Sequence, residues 1–185
     1  MSTTDPKSQW QETVRENIRE DASLSKAHLL MNALAATIAS YGLFANSPAV
    51  VIGAMIVAML LGPIVGVSLA LVDSDPKILL KSLLSLLSGA VAVLATAFII
   101  GIVHRDIPIT SEIMARTVPN FLDLMIALAG GAAGAYATVS FRLSLALVGV
   151  AIATALVPPL SSAGILLARG EITLAFGALE LAVVN

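Results

Sequence analysis

The chain has 185 residues with a formal net charge of −2, and 58% of them are hydrophobic against 12% charged. This composition and a mean hydropathy of +0.96 are typical of a membrane protein with one domain's worth of length. The slightly negative charge argues against a nucleic-acid partner. Because the chain has no cysteine, disulfides and thiolate metal sites are excluded.

The polar N-terminal segment predicts a helix over residues 6–21, in which Trp10, Val14 and Ile18 recur every four residues. Such a stripe favours an amphipathic helix at the membrane surface, and a solvated helical tail is the alternative. We assign residues 1–25 to a cytoplasmic tail and expect no cleaved signal peptide.

The first membrane span is predicted over residues 26–44, with Ser23 or Ser25 as its N-terminal cap. Asn32, Thr37 and Ser40 fall on one face of this helix. Polar and hydroxylated faces pack helices together in membranes. The same face could instead line a polar path.

Residues 48–72 form an uncharged stretch of 25 residues, long enough for the roughly 30 Å core of a bilayer. Gly62 and Pro63 interrupt it, because proline cannot donate a helical hydrogen bond and disfavours helical backbone at the residue before it. We predict a discontinuous helix, capped by Ser47 with Pro48 at its first position. A simple proline kink is the alternative.

Residues 143–168 repeat this pattern, with an interruption predicted at Pro158 and Pro159. A shift of 96 residues places Pro63 on Pro159 and gives 5 identities over residues 53–71. Paired interrupted hydrophobic segments in two halves of a chain are typical of transporters with inverted repeats. The other four matched pairs are Gly53 and Gly149, Ile56 and Ile152, Leu60 and Leu156, and Leu71 and Leu167.

The other apolar stretches predict three further spans, over residues 76–103, 120–140 and from 172 onwards. Gly130 and Gly134 in the second of these form a small-residue pair that lets another helix approach closely. The polar connection at residues 104–119 is expected to contain a short helix.

The fold class expected from these spans is an all-α polytopic membrane protein with six transmembrane helices. They form an inverted 3+3 repeat with two proline-broken helices, in which residues 26–103 are joined to residues 119–185 by the polar segment 104–118. The N-terminus is expected in the cytoplasm, because that orientation places seven basic residues inside and three outside. The inside set is Lys7, Arg15, Arg19, Lys26, Lys77, Lys81 and Arg142, and the outside set is Arg105, Arg116 and Arg169.

Three blocks of the sequence resemble one known family. They are SPAVVIGAMIVAMLLGPIVG, RTVPNFLDLMIALAGGAAGAYA and GVAIATALVPPLSSAGI, and they are similar to the uncharacterised hydrophobic-domain membrane proteins of bacteria and archaea called domain of unknown function 389. The resemblance covers about residues 26–185. It implies a multi-span domain in a prokaryotic inner or plasma membrane with no assigned reaction. It also implies that the last span continues beyond Asn185, so we expect a truncated C-terminus.

The candidate binding site follows from the two interruptions, since a broken helix exposes N–H groups and carbonyls at mid-membrane. We expect a wet, polar cavity bounded by residues 60–66 and 156–164. Its groups for binding a solute or ion would come from Gly62, Pro63, Pro158, Pro159, Ser161, Ser162 and Asn32.

Two carboxylates inside predicted spans, Asp123 and Glu180, complete the candidate list, because intramembrane acids face an interior or a wet cavity. Asp123 could instead pair with Arg116, a lysine or solvent near the interface. Glu180 could be solvated near the end of the chain.

No catalytic site, metal site or cofactor is expected. Signatures of zinc proteases and of nucleophile elbows are absent, and His28 and His104 are predicted to be interfacial residues at span ends. Ser161 and Ser162 have no histidine at their depth to activate them. We expect a transporter or channel for a small solute or ion, with a non-transporting membrane scaffold as the alternative. The partners would be the lipid bilayer and further copies of the chain, most simply as a homodimer.

Overall fold

The computed structural model describes residues 6–138 and 145–185, and the side chains of residues 12–136 and 156–185. The fold is all-α. The described residues form nine helices: α1 (Pro6–Asp21), α2 (Lys26–Phe44), α3 (Pro48–Val57), α4 (Leu61–Asp73), α5 (Pro76–Val103), α6 (Ser111–Met114), α7 (Phe121–Thr138), α8 (Leu145–Arg169) and α9 (Ile172–Val184).

The helix starts follow local capping chemistry, as the sequence indicates. Ser25 caps α2 by accepting a hydrogen bond from the His28 N–H at 3.0 Å. Asp75 caps α5 through the N–H groups of its first turn, with Pro76 at the first helical position. Ser47 occupies the cap position of α3, but its side chain makes no capping bond.

The predicted discontinuous helix is confirmed, and its break lies earlier than expected. α3 and α4 are separated by residues 58–60 and bend by 57°. Pro63 lies in the first turn of α4, where an N–H would have no partner within the helix. The proline is therefore compatible with the start of α4 and does not itself mark the break.

The predicted interruption of the second segment is wrong. α8 runs continuously from Leu145 to Arg169, with Pro158 and Pro159 inside it. An internal proline costs about 3 kcal/mol relative to alanine, so it weakens a helix without forbidding it. Tertiary packing offsets that cost here, because Pro158, Pro159 and the residues that follow them are buried.

The α5–α8 pair forms the most extensive helix contact among the described residues. A Cβ added to Gly164 would lie 2.6 Å from the Leu94 carbonyl oxygen, and one added to Gly101 would lie 2.9 Å from the Ile165 Cα. Residue 164 of α8 therefore lies beside residue 94 of α5, and residues 165–168 lie beside residue 101, so the residue numbers rise in the same direction along both helices. The two helices run parallel, with their backbones nearly in contact.

α2 is also parallel to α5, and α3 runs antiparallel to α2. Near the start of α2, His28 contacts Ser85 of α5, and at its end Leu43 shares a core cluster with Ile100. The end of α3 returns toward the start of α2, where the Met59 N–H meets Asn32.

The core divides into two clusters along the bundle. The first, near α6, holds large side chains such as Leu43, Val51, Ile100, Ile113 and Ile165. The second surrounds the α3–α4 break and is built largely from alanines. Small side chains let helices approach closely in a membrane, so the bundle is narrow beside the break. The second cluster consists of Ala35, Ala36, Ala39, Ala54, Leu60, Val93, Val157, Leu160 and Ala182.

α1 forms the predicted N-terminal helix and lies along α4. Arg15 forms an ion pair with Asp73 at the end of α4, with 2.8 Å between Nη2 and Oδ1. At the other end, the Asp21 backbone packs against Gly62 at the start of α4. The two helices are therefore antiparallel, and α1 spans most of the length of α4.

Among the described residues, α2 and α5 are long and apolar enough to cross a membrane, and the bent α3–α4 pair adds a third span if it is counted as one. Shorter apolar helices cover Phe121–Tyr136, Leu156–Arg169 and Ile172–Val184. The outward face of α5 carries exposed leucine and valine, including Leu84, Leu87 and Val91, as a lipid-facing helix does.

Candidate polar site at the α3–α4 break

The break exposes backbone groups inside the bundle. The last carbonyls of α3 have no donor within their own helix, and the first N–H groups of α4 have no acceptor within theirs. Asn32 of α2 supplies one partner from outside: its Oδ1 accepts the Met59 N–H at 3.0 Å. The side chain of Asn32 is fully buried. This bond gives the Met59 N–H a partner that the interrupted helix cannot supply.

His28 lies beside Asn32 and is buried, with 1% of its surface exposed. Its Nε2 is 3.1 Å from the Ser85 carbonyl oxygen and 3.2 Å from Asn32 Nδ2. The Met59 backbone also lies next to the ring. The imidazole is enclosed by α2, α5 and the break, although His28 is only the third residue of α2.

Gly89 makes room for this arrangement. A Cβ at that position would lie 2.6 Å from Leu60 Cδ2, 2.7 Å from His28 Nε2 and 2.9 Å from Asn32 Nδ2. All three distances are below ordinary van der Waals contact. The absence of a side chain at position 89 is therefore what allows α5 to pack against the polar pair and the break at once.

Two serine hydroxyls of α5 complete the site. Ser82 and Ser85 are fully buried, and neither Oγ has a hydrogen-bond partner. The Ser82 hydroxyl packs against Gly66 of α4. The third serine of this series, Ser88, donates to the Ser85 carbonyl at 2.8 Å. The sequence analysis missed this row, although the spacing of three residues in KSLLSLLSG places small polar residues along one side of a helix.

The predicted site residues of α8 lie at another level of the bundle. Ser161 and Ser162 are fully buried, and their hydroxyls have no partner. Ser40 of α2 shares both properties. Ser40 lies between Ala39 and Leu43, and the α8 serines lie between Leu160 and Ile165, so each falls between the two core clusters. We call these three residues the middle serines.

Gly62 and Pro63 lie next to the break without donating a side-chain group to it. Pro63 is fully buried, and Gly62 allows the close approach of the Asp21 backbone. Pro158 and Pro159 lie one turn before Ser161 and Ser162 in the continuous helix α8. Of the predicted site residues, Asn32 therefore binds the α3–α4 break directly. The predicted site between two broken helices does not form, because α8 is continuous.

Asp123 and Glu180 belong to neither polar group. Asp123 caps the start of α7, where its Oδ2 accepts the Asn120 N–H at 2.9 Å. Asn120 Oδ1 in turn accepts the Leu122 and Asp123 N–H groups at 2.8 Å and 3.2 Å. Glu180 is exposed on α9. Reciprocal capping explains Asp123 without a role in binding.

Arg116, the partner proposed for Asp123, instead faces Glu112. Their charged atoms are 3.1 Å apart, although the Glu112 Oε2 atom has no hydrogen bond of good geometry. Arg116 thus pairs with Glu112, four residues earlier, and Asp123 bonds instead to the Asn120 N–H.

A cleft of about 560 Å³ lies at the opposite end of the bundle from the break. It is lined by Arg105, Ile109 and residues 167–171, so it is not the cavity expected near residues 60–66. Arg169 donates from Nη2 to the His104 carbonyl at 2.9 Å and lies over the Phe44 ring. Within residues 6–138 and 145–185, no three acidic or histidine side chains are grouped as metal ligands.

Comparison with known proteins gives the family of this chain. Residues 55–185 match the model of the family described as domain of unknown function DUF389. The chain belongs to this family.

The chain is similar to the uncharacterized protein MJ0678 of Methanocaldococcus jannaschii. It is 38% identical over 173 residues, which cover 91% of this chain and 53% of the relative. The chain thus spans about half the length of that protein. No solved structure matches the chain.

Proposed function

We propose that this member of the DUF389 family is an integral membrane transporter or channel for a small solute or ion. The observation that carries the proposal is the buried polar site at the α3–α4 break. There the broken helix, Asn32, His28 and two unpartnered serine hydroxyls lie together inside an otherwise apolar bundle. Buried polar groups without partners are costly. In a membrane domain they are retained where a polar species has to be bound or passed.

The proposed arrangement has six crossings: α2, the α3–α4 pair, α5, α7, α8 and α9, with the N-terminus in the cytoplasm. The parallel course of α2 with α5 and of α5 with α8 supports it, because first, third and fifth crossings run in the same direction. The middle serines then lie near the centre of the bundle, and the polar site lies on the cytoplasmic side of it. The inverted 3+3 repeat loses the support of a second broken helix.

The flux experiment uses the purified chain reconstituted in liposomes, with Na⁺, K⁺, Cl⁻ and protons as probe ions. We expect at least one probe to move faster than in protein-free liposomes. Asn32→Ala should abolish that flux, because the break loses the group that holds Met59 in place. Thr37→Ala is the matched control, since the Thr37 hydroxyl bonds only the Ala33 carbonyl of its own helix. Equal flux in all variants and in empty liposomes would overturn the proposal.

The orientation is tested by labelling single cysteines at Ser8 and Ser111 from each side of the membrane. Reaction of Ser8→Cys from the cytoplasmic side and of Ser111→Cys from the other side is the expected result. The basic residues support this orientation, and labelling of Ser111→Cys from the cytoplasm alone would reverse it.

The second candidate is an assembly role, and α7 is the helix that favours it. α7 exposes large apolar side chains, among them Phe121, Leu122 and Ile126, and nothing lies within 4 Å of a Cβ added to Gly131. A small residue on an exposed face allows a second helix to approach. The partner would be another copy of the chain, most simply in a homodimer. Gly131→Leu should then shift dimer to monomer in native mass spectrometry, and a wild-type monomer at every concentration would exclude this role.

A further inference from the structure

The polar site contains a line of four groups whose three contacts cannot all be hydrogen bonds at the same time. The line runs from the Ser85 carbonyl through His28 Nε2 and the Asn32 amide to the Met59 N–H. The three contacts measure 3.1 Å, 3.2 Å and 3.0 Å. The Ser85 carbonyl can only accept a hydrogen bond, and the Met59 N–H can only donate one.

The side chains of His28 and Asn32, which lie between these two ends, cannot join them by an unbroken line of hydrogen bonds. The Met59 N–H needs the oxygen of the Asn32 amide, so the amide nitrogen faces His28. That nitrogen donates and therefore needs a lone pair on Nε2, whereas a hydrogen bond from the ring to the Ser85 carbonyl, which also accepts from the Ser88 hydroxyl, would need a proton on the same atom. Turning the amide over moves the mismatch to Met59 and does not remove it. His28 Nε2 can thus bond to Ser85 or to Asn32, but not to both.

We propose that His28 is the proton-binding group of this site and that its proton sets whether Asn32 holds the α3–α4 break. With a lone pair on Nε2, His28 accepts from Asn32, and Asn32 Oδ1 binds Met59. When a proton from water occupies Nε2, the ring donates to the Ser85 carbonyl and repels the Asn32 N–H groups. The amide then turns its oxygen to His28, and the Met59 N–H loses its partner. This inference rests on the proposed function and names the proton as its coupling ion.

The neighbouring backbone offers partners to a protonated ring. The last carbonyls of α3 carry the partial negative charge of a helix C-terminus, and the Met59 backbone that follows them lies beside the ring. The Ser85 hydroxyl, which has no partner, can accept an N–H released by the change. Gly89 removes the side chain that would otherwise block movement of the ring and the amide.

Few charged side chains face the His28 ring from the elements packed around it. α3 carries none, and the one acid of α4, Asp73, is paired with Arg15. The α5 lysines, Lys77 and Lys81, are exposed, as is Lys26 at the start of α2. Asp21 packs at Gly62. Glu112 of α6, its partner Arg116 and Arg169 of α8 lie at the other end of the bundle, near Leu43 and His104.

The test follows His28 and Met59 by NMR in the full chain. The protein has two histidines, so His104→Gln leaves the His28 ring as the single imidazole signal. Labelling of methionine nitrogen reports the Met59 N–H, assigned with Met59→Leu. As the pH falls from about 8 to about 5, the range in which histidine titrates, we expect the His28 signal to titrate. The Met59 amide proton should move upfield with the same midpoint, as a donor that loses its acceptor does.

A control variant separates the switch from a general effect of pH. In His28→Gln, the amide offers a donor and an acceptor on different atoms, so the Met59 signal should stay constant over the same range. If His28→Gln does not fold, the wild-type titration alone decides. A His28 ring that never titrates, or one that titrates while Met59 does not respond, overturns the inference.

Transport is measured separately, as proton uptake by the reconstituted protein with an interior pH-sensitive dye. A Met59 response with no uptake above that of empty liposomes supports the switch and rejects proton transport. Uptake that persists unchanged in His28→Gln supports the transporter and rejects His28 as its proton-binding group.

Discussion

The two proline-bearing segments of the bundle differ in whether their helix is interrupted. α3 and α4 are separated at residues 58–60, ahead of Pro63, whereas α8 continues through Pro158 and Pro159. In the first segment Asn32 binds the Met59 N–H from a neighbouring helix, and Pro63 falls in a first turn that needs no donor at its position. In the second, buried packing carries the helix past both prolines. A helix in this bundle therefore ends where a partner outside it takes over its backbone groups, and proline alone does not end it.

The largest expected effect concerns the prolines themselves. Pro159→Ala should stabilise the fold by up to about 3 kcal/mol, since it removes an internal proline from a helix. Pro63→Ala should change stability little, because position 63 lies in the first turn of α4. Melting temperatures of both variants in the same detergent check this. Equal shifts in the two would mean that the first and second segments do not differ as described.

The next effect concerns the space beside the break. Gly89→Ala should destabilise the protein by about 1–3 kcal/mol, because the added methyl overlaps Leu60, His28 and Asn32. Gly53→Ala is the matched control, as nothing lies within 4 Å of a Cβ at that position. Denaturant titration of both variants measures the difference. A neutral Gly89→Ala would show that α5 does not hold the polar site closed.

A smaller effect is expected at the middle serines. Ser162→Ala removes a buried hydroxyl without a partner, so it should leave stability unchanged or raise it by roughly 1 kcal/mol. Ser88→Ala removes a hydroxyl that donates to the Ser85 carbonyl, and it should lower stability by about the same amount. Thermal unfolding of the pair distinguishes the two cases. Marked destabilisation by Ser162→Ala would indicate that its hydroxyl is bound to another group.

The smallest effect concerns the α1–α4 contact. Burial, together with the neighbouring Glu20 carboxylate, raises the pKa of the Asp21 carboxyl. The folded chain therefore binds this proton more readily than the unfolded chain, and the contact is most stable at low pH and weakens as the pH rises through the raised pKa. Asp21→Asn should keep the contact intact at neutral pH. Hydrogen exchange of the α1 amides checks this, and faster exchange in Asp21→Asn than in the wild type at neutral pH would contradict it.

Much of the local structure is readable from the sequence, because it depends on neighbours in the chain. The caps at Ser25 and Asp75 and the bounds of α1, α2 and α5 follow from residues within one turn. A break within residues 48–72 is likewise predictable. Its position is not, since the acceptor for Met59 is Asn32, 27 residues earlier.

The site was harder to predict for the same reason. The sequence indicates Asn32, Ser161 and Ser162 as polar residues inside spans. It gives no sign that His28 meets Ser85, 57 residues away, or that Gly89 leaves room for both. Asp123 is the reverse case: the carboxylate that we expected to face an interior or a wet cavity completes a local cap.

The close approach of α5 and α8 at Gly101 and Gly164 limits how the bundle can open. Backbones this near cannot slide past each other or rotate without collision, so these two helices act as a fixed frame. The joint between α3 and α4 is the segment 58–60, where Asn32 accepts the Met59 N–H and Leu60 is packed in the second core cluster. Beyond that joint, α4 is held by α1 through the Arg15–Asp73 ion pair and by α5 through the contact of Ser82 with Gly66. Loss of the Asn32 bond would therefore act on the joint first and leave the α5–α8 frame in place.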